Sequence, residues 1–579
     1  MPLSLAEATA RLIEPGQMFE IGEAEIGGIP TRIWKNCPPT LRSILELSAL
    51  HGDATFVVYE DERITFAEHF AEAAAFAHVI ADRFGVRTGD RVTIAMRNYP
   101  EWVVAFWAAA ALGAVIVPLN AWWTGPELTY GVEDSGSKVA VIDADRLARL
   151  APHLEELRAS GLEHIVVVRP DDSRAPIEVP MGVDRWVDVM APAETASEPT
   201  QLPQAEISPD DNATIFYTSG TTGKPKGALG TQRNICTNLL SLAFINARGQ
   251  LMASEEQVGA LSAGTQNAHL LSVPLFHATG CHSILVANTA AGGKLVMMRR
   301  WNPERALELI ERERITIFGG VPTMAWQVLD SPDFSKRDTS SVRSIAYGGA
   351  PAPPELVRRI KEHFPNGNAS NGYGLTETSS VTSMNSGDDY VRKPDSCGPP
   401  VPVCEIRVVD DKTADVPTGE PGELWIKGPN VVRGYWNKPE ATAASFSNGW
   451  LRTGDVARLD DEGFIYIIDR AKDMVIRGGE NVYSAEVEAV LFEHAGVADV
   501  AVIGVPHEVL GEEVGAVVVL RPGWEVSADD LRQHVAERIA SFKVPAHFWF
   551  SPDPLPRNPA GKVLKRDLRA EVIAQEDER

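Results

Sequence analysis

The chain has 579 residues and a mass of 62.9 kDa, too long for one ordinary domain, so two or more are expected, each with its own core. Apolar residues make up 44% and charged residues 23%, which fits a soluble globular protein. Lys and Arg total 54 against 79 Asp and Glu, a net charge of -25 that argues against nucleic acid as a partner, and short clusters such as Lys562, Lys565 and Arg566 do not reverse it.

Five cysteines, at 37, 236, 281, 397 and 404, form no CxxC pair and no metal-ligand spacing, as expected of small buried hydrophobes in a reducing cytosol. The opening MPLSLAEATARLIEPGQ has neither a basic n-region nor a long apolar core, so no signal peptide is read, and the closing Glu-Asp-Glu-Arg carries no peroxisomal address. A cytoplasmic location is the expectation.

In chain order, Phe56-Val-Val-Tyr59 and Arg63-Ile-Thr-Phe66 flank the turn Glu60 to Glu62 and predict an antiparallel hairpin. A helix from about Ala67 to Phe84 and a strand from Arg91 to Met96 follow. Trp102 to Leu119 is almost wholly apolar and about as long as the ~18-residue threshold for a membrane span. Gly113 divides it, so it reads instead as a buried helix (Glu101 to Leu112), a Gly cap and a buried strand (Ala114 to Leu119). No transmembrane segment is expected. Strands Lys138 to Asp143, His164 to Val168, Lys294 to Met298 and Thr316 to Phe318 alternate with helices, one of them opened by Asn302 as N-cap and Pro303 at N1 and running to about Glu313. Such βα alternation implies an α/β fold of parallel sheets covered on both faces, with ligand loops at the carboxyl ends of the strands. The Pro-rich segment 169 to 210 reads as a surface excursion.

From about 394 to 470 the texture changes to short strands with Gly, Pro and Asp turns, such as Glu423 to Ile426 and Phe464 to Ile468. Beyond Arg470 it is α+β: helix Ala485 to Glu493, strands Asp499 to Val505 and Glu513 to Leu520, helix Ala528 to Arg538. A boundary is placed at Asp469 to Asp473, giving an N-terminal domain 1–469, a hinge 470–472 and a C-terminal domain 473–579.

The stretch Thr218-Ser-Gly-Thr-Thr-Gly-Lys-Pro-Lys-Gly227 sits between a strand (Ala213 to Tyr217) and a helix (from Asn234) and looks like a phosphate loop. It is not a P-loop: Thr218 stands where that pattern needs Gly, and Pro225, with neither hydroxyl nor amide hydrogen, follows Lys224. Its glycines, hydroxyls and lysines still suit a mobile flap over a nucleotide triphosphate. A flexible linker would have the same composition but would not normally interrupt a strand-loop-helix unit.

That loop, Pro274-Leu-Phe-His-Ala-Thr-Gly280, Gly348-Gly-Ala-Pro351, Tyr373-Gly-Leu-Thr-Glu-Thr378, Thr453-Gly-Asp455, Asp469-Arg-Ala-Lys-Asp473 and Pro556-Arg-Asn-Pro-Ala-Gly-Lys562 occur in this order. Together they resemble the adenylate-forming superfamily of acyl-CoA synthetases, luciferases and peptide-synthetase adenylation domains, across nearly the whole chain. The resemblance implies a large N-terminal domain of two αβ layers plus a distorted β-barrel, and a small mobile α+β C-terminal domain. It implies ATP, Mg2+ and coenzyme A as cofactors and co-substrate, and a carboxylic acid as partner. A homodimer and peripheral membrane contact are left open.

The same resemblance assigns roles. Thr218, Ser219, Gly220, Thr221, Thr222, Gly223 and Lys226 match the loop that wraps the β- and γ-phosphates and releases pyrophosphate. Gly348, Gly349, Ala350, Pro351, Tyr373 and Gly374 match the adenine-binding walls, and Asp455 and Arg470 the ribose site. Thr376 matches the contact to the α-phosphate and Glu377 the magnesium carboxylate. Lys562 matches the catalytic lysine, Lys472 the hinge about which the C-terminal domain rotates, and Gly478 and Gly479 the loop brought to the pantetheine tunnel. His277 resembles a gate beside the acyl carboxylate, although a satisfied core histidine would look the same.

A carboxylate is already a nucleophile toward the α-phosphorus, so adenylation needs positioning and charge stabilisation rather than a base. Amino-acid-activating relatives carry an Asp in the stretch matching 274–280; here there is none, and no carrier-protein domain follows. The small residues Ala278, Gly280, Gly348 and Gly349 leave room for a hydrophobic acid, fatty or aryl-alkanoic. Two rivals stand beside a CoA ligase: a fatty acyl-AMP ligase that transfers to a carrier protein, and a catalytically silent nucleotide-binding scaffold.

Overall fold

In the helix Pro100–Ala111 every residue except Glu101 is buried, and a helix apolar on all sides must lie between two layers. Gly113, at φ +68°, ends the segment as only a residue tolerant of left-handed backbone can, and Val115–Pro118 continues as a strand. The apolar run is thus helix, turn and strand as its sequence predicts, and among the described residues no helix is long and apolar enough to cross a membrane. The computed structural model describes residues 3–171, 177–194, 201–218, 224–253, 266–349, 354–364, 366–470, 473–478, 480–558 and 561–577.

Two sheets flank that layer. One has seven strands in the order Lys226–Thr231, Asn212–Thr218, Val115–Pro118, Arg91–Ala95, Val139–Asp143, His164–Val168 and Asp184–Arg185. It is parallel except for the first pair, which is antiparallel across the 218–226 turn. The other has eight: Ser383–Ser386, Asn368–Tyr373, Ser344–Gly348, Ile317–Gly320, Ala268–Leu271, Lys294–Met297, Thr55–Tyr59 and Glu62–Thr65. Its centre is parallel and its two outer pairs are antiparallel, the last being the predicted hairpin. Val92, Ile94 and Val141 of the first sheet share one apolar cluster with Val57, Leu295 and Met297 of the second and with the helices Phe66–His78 and Pro100–Ala111.

Local chemistry explains the boundaries. Asn302 accepts from the amide of Arg305 at 2.7 Å and opens the helix Pro303–Glu313, as read from the sequence. The helix expected to start at Asn234 begins at Gln232, capped by Thr231, and runs on to Met252. The 169–210 segment is less of an excursion than expected. Its short strand Asp184–Arg185 extends the seven-stranded sheet, and Trp186 packs on Phe76 with ring centroids 4.5 Å apart.

An antiparallel five-stranded sheet covers the Gly- and Asp-rich region, from Glu405–Val409 to Ile465–Arg470. The last part of the chain builds a second five-stranded sheet around Val497–His507 and Gly511–Leu520, with helices Ser484–Phe492, Ala528–Ala536 and Lys565–Asp577. It has its own apolar core, including Val487, Leu491, Val502, Val514, Ala516 and Leu531.

Candidate active site

The carboxyl ends of the eight-stranded sheet open into a cavity of about 2400 Å³. The strand Asn368–Tyr373 delivers Tyr373 to its wall, and the phenol donates to Asp455 Oδ2 at 2.6 Å. Arg470 Nε stands 3.0 Å from the other Asp455 oxygen. Asp455 is itself only 2% exposed, so these two side chains fix it from the cavity side. Burial, then the Asp455 charge, holds the Tyr373 phenol well above its ordinary pKa, and it stays a donor. Burial opposes the charge on Arg470, but Asp455 and Tyr373 more than offset it and the guanidinium stays protonated.

The wall beside Tyr373 is bare backbone. A Cβ on Gly348 would lie 2.4 Å from the Gly372 carbonyl oxygen, and one on Gly319 or Gly374 would overlap a carbonyl oxygen outright. Gly349 has φ +75° and open space before it. The chain then makes a tight turn, Thr376–Thr378, followed by Ser379 and Ser380 at φ +53° and +103°. The Thr378 hydroxyl secures this turn between Leu375 and Ser380. Thr376 and Glu377 therefore project into the cavity from a rigid frame. Tyr435, which the sequence reading missed, donates to Glu377 Oε1 at 2.8 Å, and the Lys226 ammonium lies 5.3 Å from the Tyr435 ring centroid. Lys226 is thereby held beside the acidic corner although it does not line the cavity itself.

Thr218 and Lys226 are paired at the two feet of the loop, with Thr218 Oγ1 donating to the Lys226 carbonyl at 3.4 Å. Ser219, Gly220, Thr221, Thr222 and Gly223 lie outside the described residues, as do Ala350, Pro351, Lys472 and Gly479. Gly478 is described, at φ +60° in a hairpin turn, and does not line the cavity.

His277 lines the cavity at the head of the turn before Thr279–Val286, and its Nδ1 accepts from the Thr279 amide at 3.4 Å. Burial pushes its pKa down to about 4, so the ring is neutral at physiological pH. His282, one turn on and 2% exposed, is also pushed to about 4 by burial; its Nδ1 lies 3.2 Å from the Ser379 carbonyl. This second histidine ties the His277 segment to the Thr376 turn. Gly280 admits no side chain, because a Cβ would stand 2.2 Å from the Pro274 carbonyl oxygen.

The C-terminal part of the chain supplies part of the cavity wall. Lys562 lines it together with His277, Thr376 and Glu377. Its turn is held by Asn558, which exchanges bonds with the Lys562 amide and carbonyl at 2.9 and 2.8 Å, and by Arg557, which donates to Gly561 O at 2.6 Å. Arg521 adds an ion pair to Asp330 at 3.0 Å, a second link between this part of the chain and the rest. Next to the expected hinge, Asp469 accepts from the Ser484 amide at 2.5 Å and its hydroxyl at 2.9 Å. Lys565 in turn bonds Ser484 Oγ and pairs with Glu488, both at 2.6 Å. Burial disfavours the Lys565 charge, but Glu488 and Asp469 raise its pKa.

Among the described residues no cluster of three or more His, Cys, Asp or Glu could cage a metal on its own. Glu377 nevertheless brings a carboxylate to the cavity wall beside bare glycine backbone, which suits a cation carried in with phosphates rather than an all-protein cage.

Residues 46–436 match the family described as AMP-binding enzyme, and residues 486–562 its C-terminal domain. The long-chain-fatty-acid–CoA ligase FadD13 of Mycobacterium tuberculosis is 35% identical over 515 residues, covering 89% of this chain and 94% of that protein. Feruloyl-CoA synthase of an Amycolatopsis species is 34% identical over 517 residues, covering 89% and 95%. Among solved structures, the o-succinylbenzoate CoA synthetase MenE of Bacillus subtilis, in complex with its acyl-adenylate intermediate, superposes with a TM-score of 0.74 at 33% identity, over 92% of this chain and 98% of that one. The same synthetase in complex with ATP and a magnesium ion gives 0.73 at 32%, over 92% and 99%. The chain belongs to the AMP-binding enzyme family, the adenylate-forming superfamily that its motifs resemble.

Proposed function

We propose that this AMP-binding enzyme, an ATP-dependent acid–thiol ligase working through an acyl-adenylate, joins a hydrophobic carboxylic acid to coenzyme A, releasing AMP and pyrophosphate. The observation that carries the site assignment is the presence of Lys562, Thr376, Glu377 and His277 on one cavity, contributed by chain segments far apart in sequence.

The roles follow from that arrangement. Lys562 places a cation where the acid carboxylate must approach the α-phosphorus, countering the repulsion between two anions. Thr376 offers a hydroxyl to the α-phosphate. Glu377, oriented by Tyr435, holds magnesium, which when bound neutralises phosphate charge. Tyr373 and the glycine walls at 348, 349 and 374 take the adenine. Asp455, set by Tyr373 and Arg470, takes the ribose hydroxyls. His277, kept neutral by burial, donates or accepts without adding charge beside the acyl carboxylate. Residues 1–469 serve as the nucleotide- and acid-binding domain, 470–472 as the pivot and 473–579 as the lid that carries Lys562. Unpaired cysteines at all five positions favour a reducing cytoplasm.

The test is a panel of fatty and aryl-alkanoic acids assayed for CoA-dependent AMP release. Release with at least one acid supports the ligase, whereas pyrophosphate exchange without CoA consumption would favour transfer to a carrier protein. No exchange with any acid would leave a silent scaffold.

A further inference from the structure

The helix Gln232–Met252 packs Ser241 and Phe244 against Trp34 and turns Leu242, Ile245 and Gly249 to the cavity. Arg248, one turn beyond Phe244 and only 5% exposed, also lines the cavity. Its guanidinium stands 5.3 Å from the Phe244 ring centroid, and among the described residues no hydrogen bond or ion pair reaches it. A largely buried guanidinium that lines a cavity offers its five donors to a group that enters there.

The acidic groups nearby do not satisfy it. Asp389 attracts Arg248 from a distance, but its carboxylate is engaged by Arg392 at 2.8 Å, and Asp388 is exposed to solvent. Burial pushes the Arg248 pKa down only to about 10, so the charge remains at neutral pH.

Arg248 lines the same cavity as His277. Asn238, on the same helix, bonds Ser283 and the Val381 amide at 3.3 and 2.9 Å, close to the His277 turn. Arg248 lies ten residues further on, about 15 Å along the axis. The lining near this helix includes the apolar Leu242, Ile245, Ile284, Val381 and Met384 beside the polar Asn246, Ser283 and Ser380. Gly249, next to Arg248, is solvent-exposed and also lines the cavity.

We propose that Arg248 is a specificity-determining residue that binds a second carboxylate at the far end of the acid, so that the preferred substrates are dicarboxylic acids with an apolar middle. A carboxylate matches the guanidinium fork bidentately, and a methyl end would leave the buried cation unsatisfied. This rests on the CoA-ligase reading above and refines its acid.

The experiment pairs α,ω-dicarboxylic acids with monocarboxylic acids of equal carbon number across a range of lengths, reading CoA-dependent AMP release by wild type, R248M and R248K. Wild type is expected to favour the diacid in kcat/KM by roughly tenfold or more at its best length, as loss of a charged hydrogen-bonded pair implies. R248M is expected to abolish that preference and R248K to restore part of it. Met fills the site with apolar volume, so the variant folds, and the ratio is internal to each preparation. A wild-type ratio of one or less at every length, or a preference unchanged in R248M, would overturn the inference while leaving the ligase intact. No release with any acid would remove the ligase reading and this refinement with it.

Discussion

Gly561 and Val321 are far apart in sequence, yet a Cβ on Gly561 would stand 2.6 Å from Val321 Cγ2. The turn that carries Lys562 is thus pressed against the segment following the strand Ile317–Gly320, and Gly561 holds it at φ +82°. Gly561→Ala adds left-handed strain of about 1–2 kcal/mol and a clash in this orientation. Adenylation, read as pyrophosphate exchange, should fall about tenfold or more. Thioester formation from supplied acyl-adenylate should fall less; an equal loss in both half-reactions would count against the docking.

Lys562→Ala removes the cation itself. Acyl-adenylate formation should drop by about 10²–10³, as for other preorganised charge-stabilising groups. The variant should still convert a supplied acyl-adenylate and CoA to thioester, and normal ATP turnover would refute the assigned role.

Tyr435→Phe deletes the bond that orients Glu377, leaving the carboxylate in place. The magnesium concentration for half-maximal activity should rise several-fold, with a much larger rise for Glu377→Gln. Supporting groups of this kind typically cost 10–100-fold in metal affinity or activity when removed. A magnesium titration in which Tyr435→Phe matches wild type would show that the bond orients nothing.

Lys565 and Glu488 form a half-buried pair beside Asp469 and Ser484. Lys565→Met alone should cost about 1–3 kcal/mol in urea unfolding, because it leaves the Glu488 carboxylate without its cation. The double variant Lys565→Met, Glu488→Leu should recover most of that. If single and double variants lose the same stability, the pair is not coupled.

His282 has a folded pKa near 4 against an ordinary 6.5. Between those values the unfolded chain binds a proton that the folded chain refuses, so stability is full above about pH 6.5 and falls as the pH drops toward 4. The thermal midpoint should decline through that window. In His282→Asn the decline should be shallower whatever the starting midpoint, and an unchanged slope would assign it to other groups.

The sequence made much of this legible because local signals agree with tertiary context. Gly113 splits an apolar run, Asn302 and Pro303 open a helix, and the hairpin at residue 60 is set by alternation. The capping box Ser4 to Glu7 could have announced the helix Leu5–Leu12 as well. What stayed hidden depends on distant segments meeting. Tyr435 lies 58 residues from Glu377, and Ser484 lies 81 from Lys565, so no local pattern links them. Arg248 was missed because a long helix with polar residues on several faces gives its buried cation no distinctive spacing.

The glycine walls have a consequence for evolvability. Gly319, Gly348 and Gly374 face carbonyl oxygens at 1.6, 2.4 and 1.4 Å from any added Cβ, so that rim accepts no side chain without moving the backbone. The helix Gln232–Met252 meets the cavity with side chains, which can be exchanged singly. Under the roles proposed above, the nucleotide side is constrained by its own main chain, whereas the acid side can change one side chain at a time.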